Sequence, residues 1–181
     1  MHRPALSGKR LTAVAALACT AGLIPAAALA ATTTAAAPAA ASTPACPTSG
    51  LVVWIDTHGD GAAGSIYYTL NFTNLSGHAC TLHGSPGVSA VNLSGKQLGL
   101  PASGDYTGRP PAVRLANGAT ATAVLAWNVI QTQPGPHCGQ VTAAGLRVYP
   151  PNQFTSKVIP FPIGACRQPI TFMSVGPVQK G

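Results

Sequence analysis

The chain has 181 residues, of which 46% are hydrophobic and only 7% charged, with a formal net charge of +7. That length holds one domain and a processed segment, and with no Glu at all, any glycosidase-type carboxylate pair must come from Asp56, Asp60 and Asp105. Arg3, Lys9 and Arg10 fall in a segment expected to be removed, leaving 7 − 3 = +4, and the other seven bases are scattered, which argues against a dedicated nucleic-acid binder.

Residues 1–30 read as a secretory signal. Positive charge precedes the apolar run LTAVAALACTAGLIPAAALA, and Ala28-Leu29-Ala30 is a small-x-small cleavage pattern, with the cut after Ala30. The run is long enough to act as an uncleaved membrane tether, and ALAC before Cys19 faintly suggests lipid anchoring. Pro25 and the Ala-x-Ala end favour cleavage and free secretion, with no stable membrane insertion afterwards. Residues 31–45, ATTTAAAPAAASTPA, have no large apolar side chain and read as a disordered spacer ahead of a single domain over 46–181.

Four cysteines then remain, Cys46, Cys80, Cys138 and Cys166, an even number suited to an oxidising compartment. Three pairings are possible, and local topology favours one. LVVWID (51–56) and SIYYTLNFTN (65–74) flank the turn-rich THGDGAAG, with Ile66, Tyr68, Leu70 and Phe72 alternating against polar neighbours. A hairpin of these strands brings Cys46 and Cys80 to its open end. VTAAGLRVYP and FTSKVIPF, joined through Pro151-Asn152, do the same for Cys138 and Cys166. The expected bridges are Cys46–Cys80 and Cys138–Cys166, each worth about 3 kcal/mol by loop closure. The stretch HACTLH, with His78 and His83 around Cys80, therefore reads as a staple before it reads as a metal ligand set or a Cys/His pair.

Further along, Val88–Leu93 and QLGL are short strand-like runs, and residues 101–111, PASGDYTGRPP, look like a long loop. Asn117-Gly118 is a strong turn dipeptide. After it Ala119, Ala121, Ala123, Leu125, Trp127 and Val129 point one way and Thr120, Thr122 and Asn128 the other. PITFMSVGPV supplies a last strand. With no helical periodicity beyond residue 30, seven to nine short strands predict an all-β, immunoglobulin-like sandwich stapled by two disulfides. Trp54 and Trp127 are expected in its core or between its sheets, with ligand stacking the other use for either.

GAAGSIYYTLNFTNLSGHACTLHGSPGVSAVN (61–92) resembles the signature of the domain of unknown function 4232 family, found in exported actinobacterial proteins. VRLANGATATAVLAW is similar to that family's Leu-x-Pro-Gly strand pair, with Asn117 where Pro is usual, and CGQVTAAGLRVYPPNQ matches its Cys, Leu-x-Val and Pro-Pro element. The resemblance covers nearly all of 46–178. It implies an exported, disulfide-bonded β-sandwich and brings no catalytic residues, cofactor or ligand.

For catalysis, Gly-x-Ser-x-Gly is absent, and His58 with Asp60 forms a base–acid pair only on paper. Asp56 and Asp60 near glycines lack the ligand density of an EF-hand. The expected function is a non-catalytic extracellular module, without cofactor or metal, that binds a protein, glycan or cell-wall polymer through loops or a sheet face. Tyr67, Tyr106, Tyr149, Trp54 and Arg147 are its candidate surface anchors, with cross-strand packing as the plainer reading of each. A structural cell-envelope protein is the alternative, and a small hydrolase or metal-binding protein comes after it. Asn71, Asn74 and Asn92 fit Asn-x-Ser/Thr and are expected to place their side chains at the surface.

Overall fold

The computed structural model describes residues 42–181 apart from Thr107 and Pro134. The expected signal (1–30), its cleavage point, Cys19 and the spacer up to residue 41 lie outside the described residues. At the end of that spacer, Ala45 bridges Thr81, and the Pro44 carbonyl accepts the Thr81 N–H at 2.8 Å.

The described residues hold thirteen strands, more than the seven to nine expected. They are β1 (Leu51–Ile55), β2 (Asp60–Ala62), β3 (Ser65–Asn74), β4 (Cys80–Leu82), β5 (Gly87–Val91), β6 (Gln97–Leu98) and β7 (Ser103–Gly104). They continue with β8 (Val113–Leu115), β9 (Thr120–Asn128), β10 (Gln140–Tyr149), β11 (Lys157–Cys166), β12 (Met173–Val175) and β13 (Gln179–Lys180). The surplus consists of pieces too short for alternation to reveal: β7 lies inside the expected long loop, and β2 inside the turn-rich THGDGAAG.

Three sheets result. The largest runs β1-β3-β9-β12-β7, with β2 added to β3 and β13 to β9; the second runs β11-β10-β5-β6; β4 and β8 form a third. Only β7 on β12 is parallel among the strand pairs. Both expected hairpins form. Leu51 pairs with Asn74 across β1 and β3, and Gln140 pairs with Cys166 across β10 and β11. The tip of the first is tighter than expected, because β2 folds back on β3 through Ala63 and Gly64, both at positive φ (48° and 79°). This is the backbone of a two-residue turn whose twist suits a hairpin.

The core follows from complementary pairs on the inward face of the large sheet. Phe72 faces Ala121, Leu70 faces Ala123 and Tyr68 faces Leu125. Small residues on β9 leave space for the bulky residues of the second sheet, among them Leu146, Val148 and Phe161, and all join one buried cluster. The Tyr68 and Phe161 rings meet edge-on, 4.9 Å apart at 80°, and tie the two sheets together. Burial pushes the Tyr68 phenol pKa up. Trp127 packs against this cluster, as expected; an added Cβ at Gly164 would stand 2.8 Å from its ring. Trp54 does not belong to the core: it is 46% exposed.

β11 is an edge strand, and Pro160 and Pro162 point outward along it while Ile159, Phe161 and Ile163 point in. Proline is tolerated there because no ladder bond is needed, and it discourages pairing with another chain. Asn117-Gly118 does turn the chain, with Gly118 at φ +83°, but it carries it from the small sheet (β8) into the large one (β9). The turn is held from outside: the Gly77 N–H donates to the Asn117 side-chain carbonyl.

Candidate functional site

The HACTLH stretch resolves as a staple. Cys80 is bonded to Cys46 and Cys138 to Cys166, each with Cα atoms 4.8 Å apart, so Cys80 holds no thiolate. Around it the carbonyls do the bonding. His78 O accepts from Asn74 and Ser76, and His83 O accepts from Asn152 Nδ2.

In the first hairpin the acid beside His58 is Asp56, not Asp60. The His58 backbone N–H donates to Asp56 Oδ1 at 3.0 Å, and ring Nδ1 lies 3.3 Å from the same oxygen. The backbone bond, then the ring contact, hold the Asp56 carboxyl below the usual carboxylate range. The pair is solvated, with the His58 side chain 99% exposed, and it closes a turn.

The three Asn-x-Ser/Thr matches lie deeper than expected. Asn71 and Asn74 are buried, and Asn92 is half-buried. Asn74 Nδ2 donates to the carbonyls of His78, Leu115 and Ala116, and its Oδ1 accepts from Ser76 N and Oγ. Asn92 Oδ1 likewise accepts from Ser94 and Lys96. Asparagine at a strand end is used here to satisfy turn backbone.

The five anchor candidates separate onto three surfaces. Trp54 and Tyr67 lie on the outward face of the large sheet. The register places Val52 and Trp54 (β1), Tyr67, Thr69, Asn71 and Thr73 (β3) and Thr120, Thr122, Val124 and Ala126 (β9) on that face. Val52, Trp54, Tyr67 and Val124 are each between 38% and 49% exposed. Those three strands carry no charge across the face; Asp56 and Asp60 border it at the hairpin tip. Trp54 is held in place, its Nε1 3.4 Å from Thr73 Oγ1, which in turn is 2.9 Å from Thr120 Oγ1. At the far edge of the same sheet Ser65, Ser103, Asn128, Thr171 and Ser174 line a shallow hollow of about 160 Å³.

Arg147 and Tyr149 are on β10 and half-buried, and both have structural work. Arg147 Nη2 donates to Gly95 O in the turn between β5 and β6. Tyr149 lies across from Gly87, where an added Cβ would already touch its ring. Tyr106 stands apart, on an open cleft of about 580 Å³ that also contains Arg109, Arg114 and Lys180. Sequence reading missed that cation group, since its members are scattered along the chain and only the β13–β9 pairing carries Lys180 into the sheet.

Among the described residues no group of three or more His, Cys, Asp or Glu could hold a metal ion, and no helix is long and apolar enough to cross a membrane. No curated protein and no solved structure is significantly similar to the chain. A family model described as a domain of unknown function (DUF4232) matches residues 46–179, most of the chain, and together with the paired cysteines and the Tyr-rich β3 this places the protein in that family.

Proposed function

We propose that this protein is an exported, non-catalytic module with an immunoglobulin-like sandwich, which holds a neutral glycan of the cell envelope on the outward face of its large sheet. One observation carries the reading: Val52, Trp54, Tyr67 and Val124 are exposed together on a face whose strands β1, β3 and β9 carry no charge, with Asp60 opposite Tyr67 at its rim. Exposed apolar residues scattered singly need no explanation, but a set gathered on one face points to an interaction surface. Aromatic rings offer an apolar plane with a polar tip, suited to the C–H face of a sugar. The threonine rows supply hydroxyl groups beside them. Export is supported by two disulfides in a chain of this size and by the signal-like N-terminus.

Sedimentation with isolated cell walls tests this. Saturable retention that survives raised salt and falls about tenfold or more in Trp54→Ala and Tyr67→Ala is the expected result, the loss typical of a central aromatic anchor. Even, non-saturating retention, indifferent to both substitutions, would favour a purely structural envelope protein instead.

A further inference from the structure

We propose that the cleft at Tyr106 is a second binding site, for an organic anion with an oxyanion head and an apolar body. It is independent of the glycan face. Its walls are largely apolar, Pro177 and Val178 on one side and Pro110 and Pro111 on another, and Arg109, Arg114 and Lys180 bring three positive charges and no acid. A volume of about 580 Å³ lies within the range of roughly 300–1,000 Å³ found for small-molecule sites.

The cations are unpaired. None of the three cations is ion-paired with a carboxylate among the described residues, where the only such contact is His58–Asp56. Arg114 Nε has a single partner, the Thr43 hydroxyl at 3.3 Å. Asp60 sits at the register of Ala126 and Lys180 at that of Ala121, so along β9 Asp60 lies about 17 Å from Lys180 at strand rise. That exceeds the screening length of about 8 Å at physiological salt. The third acid, Asp105, precedes Tyr106 in the chain and donates its backbone N–H to Val175 O, which puts one carboxylate near the cleft. It does not line the cleft and pairs with none of the three cations, so the cleft keeps a net positive charge. Guanidinium groups match carboxylate, phosphate or sulfate oxygens in pairs, and the ammonium adds a point charge. The apolar walls and the exposed Tyr106 ring would take the rest of the ligand. An inorganic ion alone would leave those walls in water, which is why the ligand is an organic anion.

The test is isothermal titration of the intact protein with 1-naphthyl phosphate and 1-naphthoate, against inorganic phosphate and 1-naphthol. The expected result is one site for either organic anion, with inorganic phosphate and the neutral naphthol each weaker by about tenfold or more, the scale of one charge-assisted contact. The two organic anions compared with each other distinguish a phosphate-bearing source from a carboxylate one. Arg109→Ala and Lys180→Ala, both at the surface, should each weaken binding by a similar factor. Ala112→Trp, which fills the cleft and keeps every charge, should abolish it. Inorganic phosphate binding as well as naphthyl phosphate, or binding that survives Ala112→Trp, would overturn the proposal and leave a diffuse counter-ion patch. Binding of 1-naphthol as strong as its phosphate would overturn it too.

Discussion

Removing the two disulfides is the sharpest test of how this domain is held together. Cys46 and Cys80 are separated by 34 residues and Cys138 and Cys166 by 28. Treated as chain-entropy constraints on the unfolded state, loops of these lengths are each worth about 3.5–4 kcal/mol. The two closed segments do not overlap, so their contributions should add, to about 7 kcal/mol. A domain of this size has a total stability of about 5–15 kcal/mol. Either paired Cys→Ala variant should therefore fold with a lowered denaturant midpoint and a steeper slope, since the unfolded chain is less compact without its cross-link, whereas the quadruple variant should be largely unfolded. Three of the four cysteines are fully buried and Cys138 is 4% exposed, so in native buffer a reductant should act only as fast as the protein opens. Urea titration followed by tryptophan fluorescence, with thiol counting at each point, reads both. A paired variant that loses under about 1 kcal/mol, below the low end of measured native disulfide removals, would refute the entropic account. So would full reduction of the folded protein within the dead time of mixing.

Four further outcomes are expected. Gly164→Ala should cost about 1–3 kcal/mol, since the new methyl meets the Trp127 ring, and a compensating Trp127→Phe should recover part of the loss in the same urea assay. Leu125→Ala, at a fully buried site between the sheets, should lower stability by about 2.7–5 kcal/mol. Asn74→Asp keeps the shape but strips the donors that three carbonyls use; a loss of about 3 kcal/mol or more is expected from the unpaired groups, and a shift under a third of that would sink the assignment. On the alkaline side, Tyr68 has a folded pKa raised by burial. Its contribution is intact below the ordinary phenol range and is lost as pH rises through the folded value, so thermal melts against pH should fall more steeply in the wild type than in Tyr68→Phe.

The hairpins and staples were legible because they rest on local signals: alternation in SIYYTLNFTN, turn residues at fixed places, and cysteines at the open ends. The small strands were not. β2, β7 and β13 are two or three residues long, and what makes Ser103–Gly104 a strand is β12, some seventy residues on. Trp54 was misplaced for a related reason: its alternation set one face from the other, and only the pairing with β3 shows which face meets the core. Of the anchor candidates, Trp54, Tyr67 and Tyr106 are exposed, while Arg147 and Tyr149 are half-buried and fastened within the fold. Asn71 and Asn74 matched a surface motif, yet the carbonyls that claim Asn74 come from elements forty residues away.

Strand β9 lies at the middle of the large sheet, with β3 on one side and β12 and β13 on the other. Its partners span residues 65–180, so the central ladder is assembled from distant parts of the chain, and such a topology folds slowly. The staples are different in kind, since each closes around a hairpin that short loops can find first. That contrast predicts an order of events, with the two hairpins closing early and the β9 ladder last. A chain that oxidises before its sheet is complete enters the slow step with both hairpins already tied off. Its folding rate should then depend on the redox state at the moment folding begins as much as on the sequence of the sheet itself.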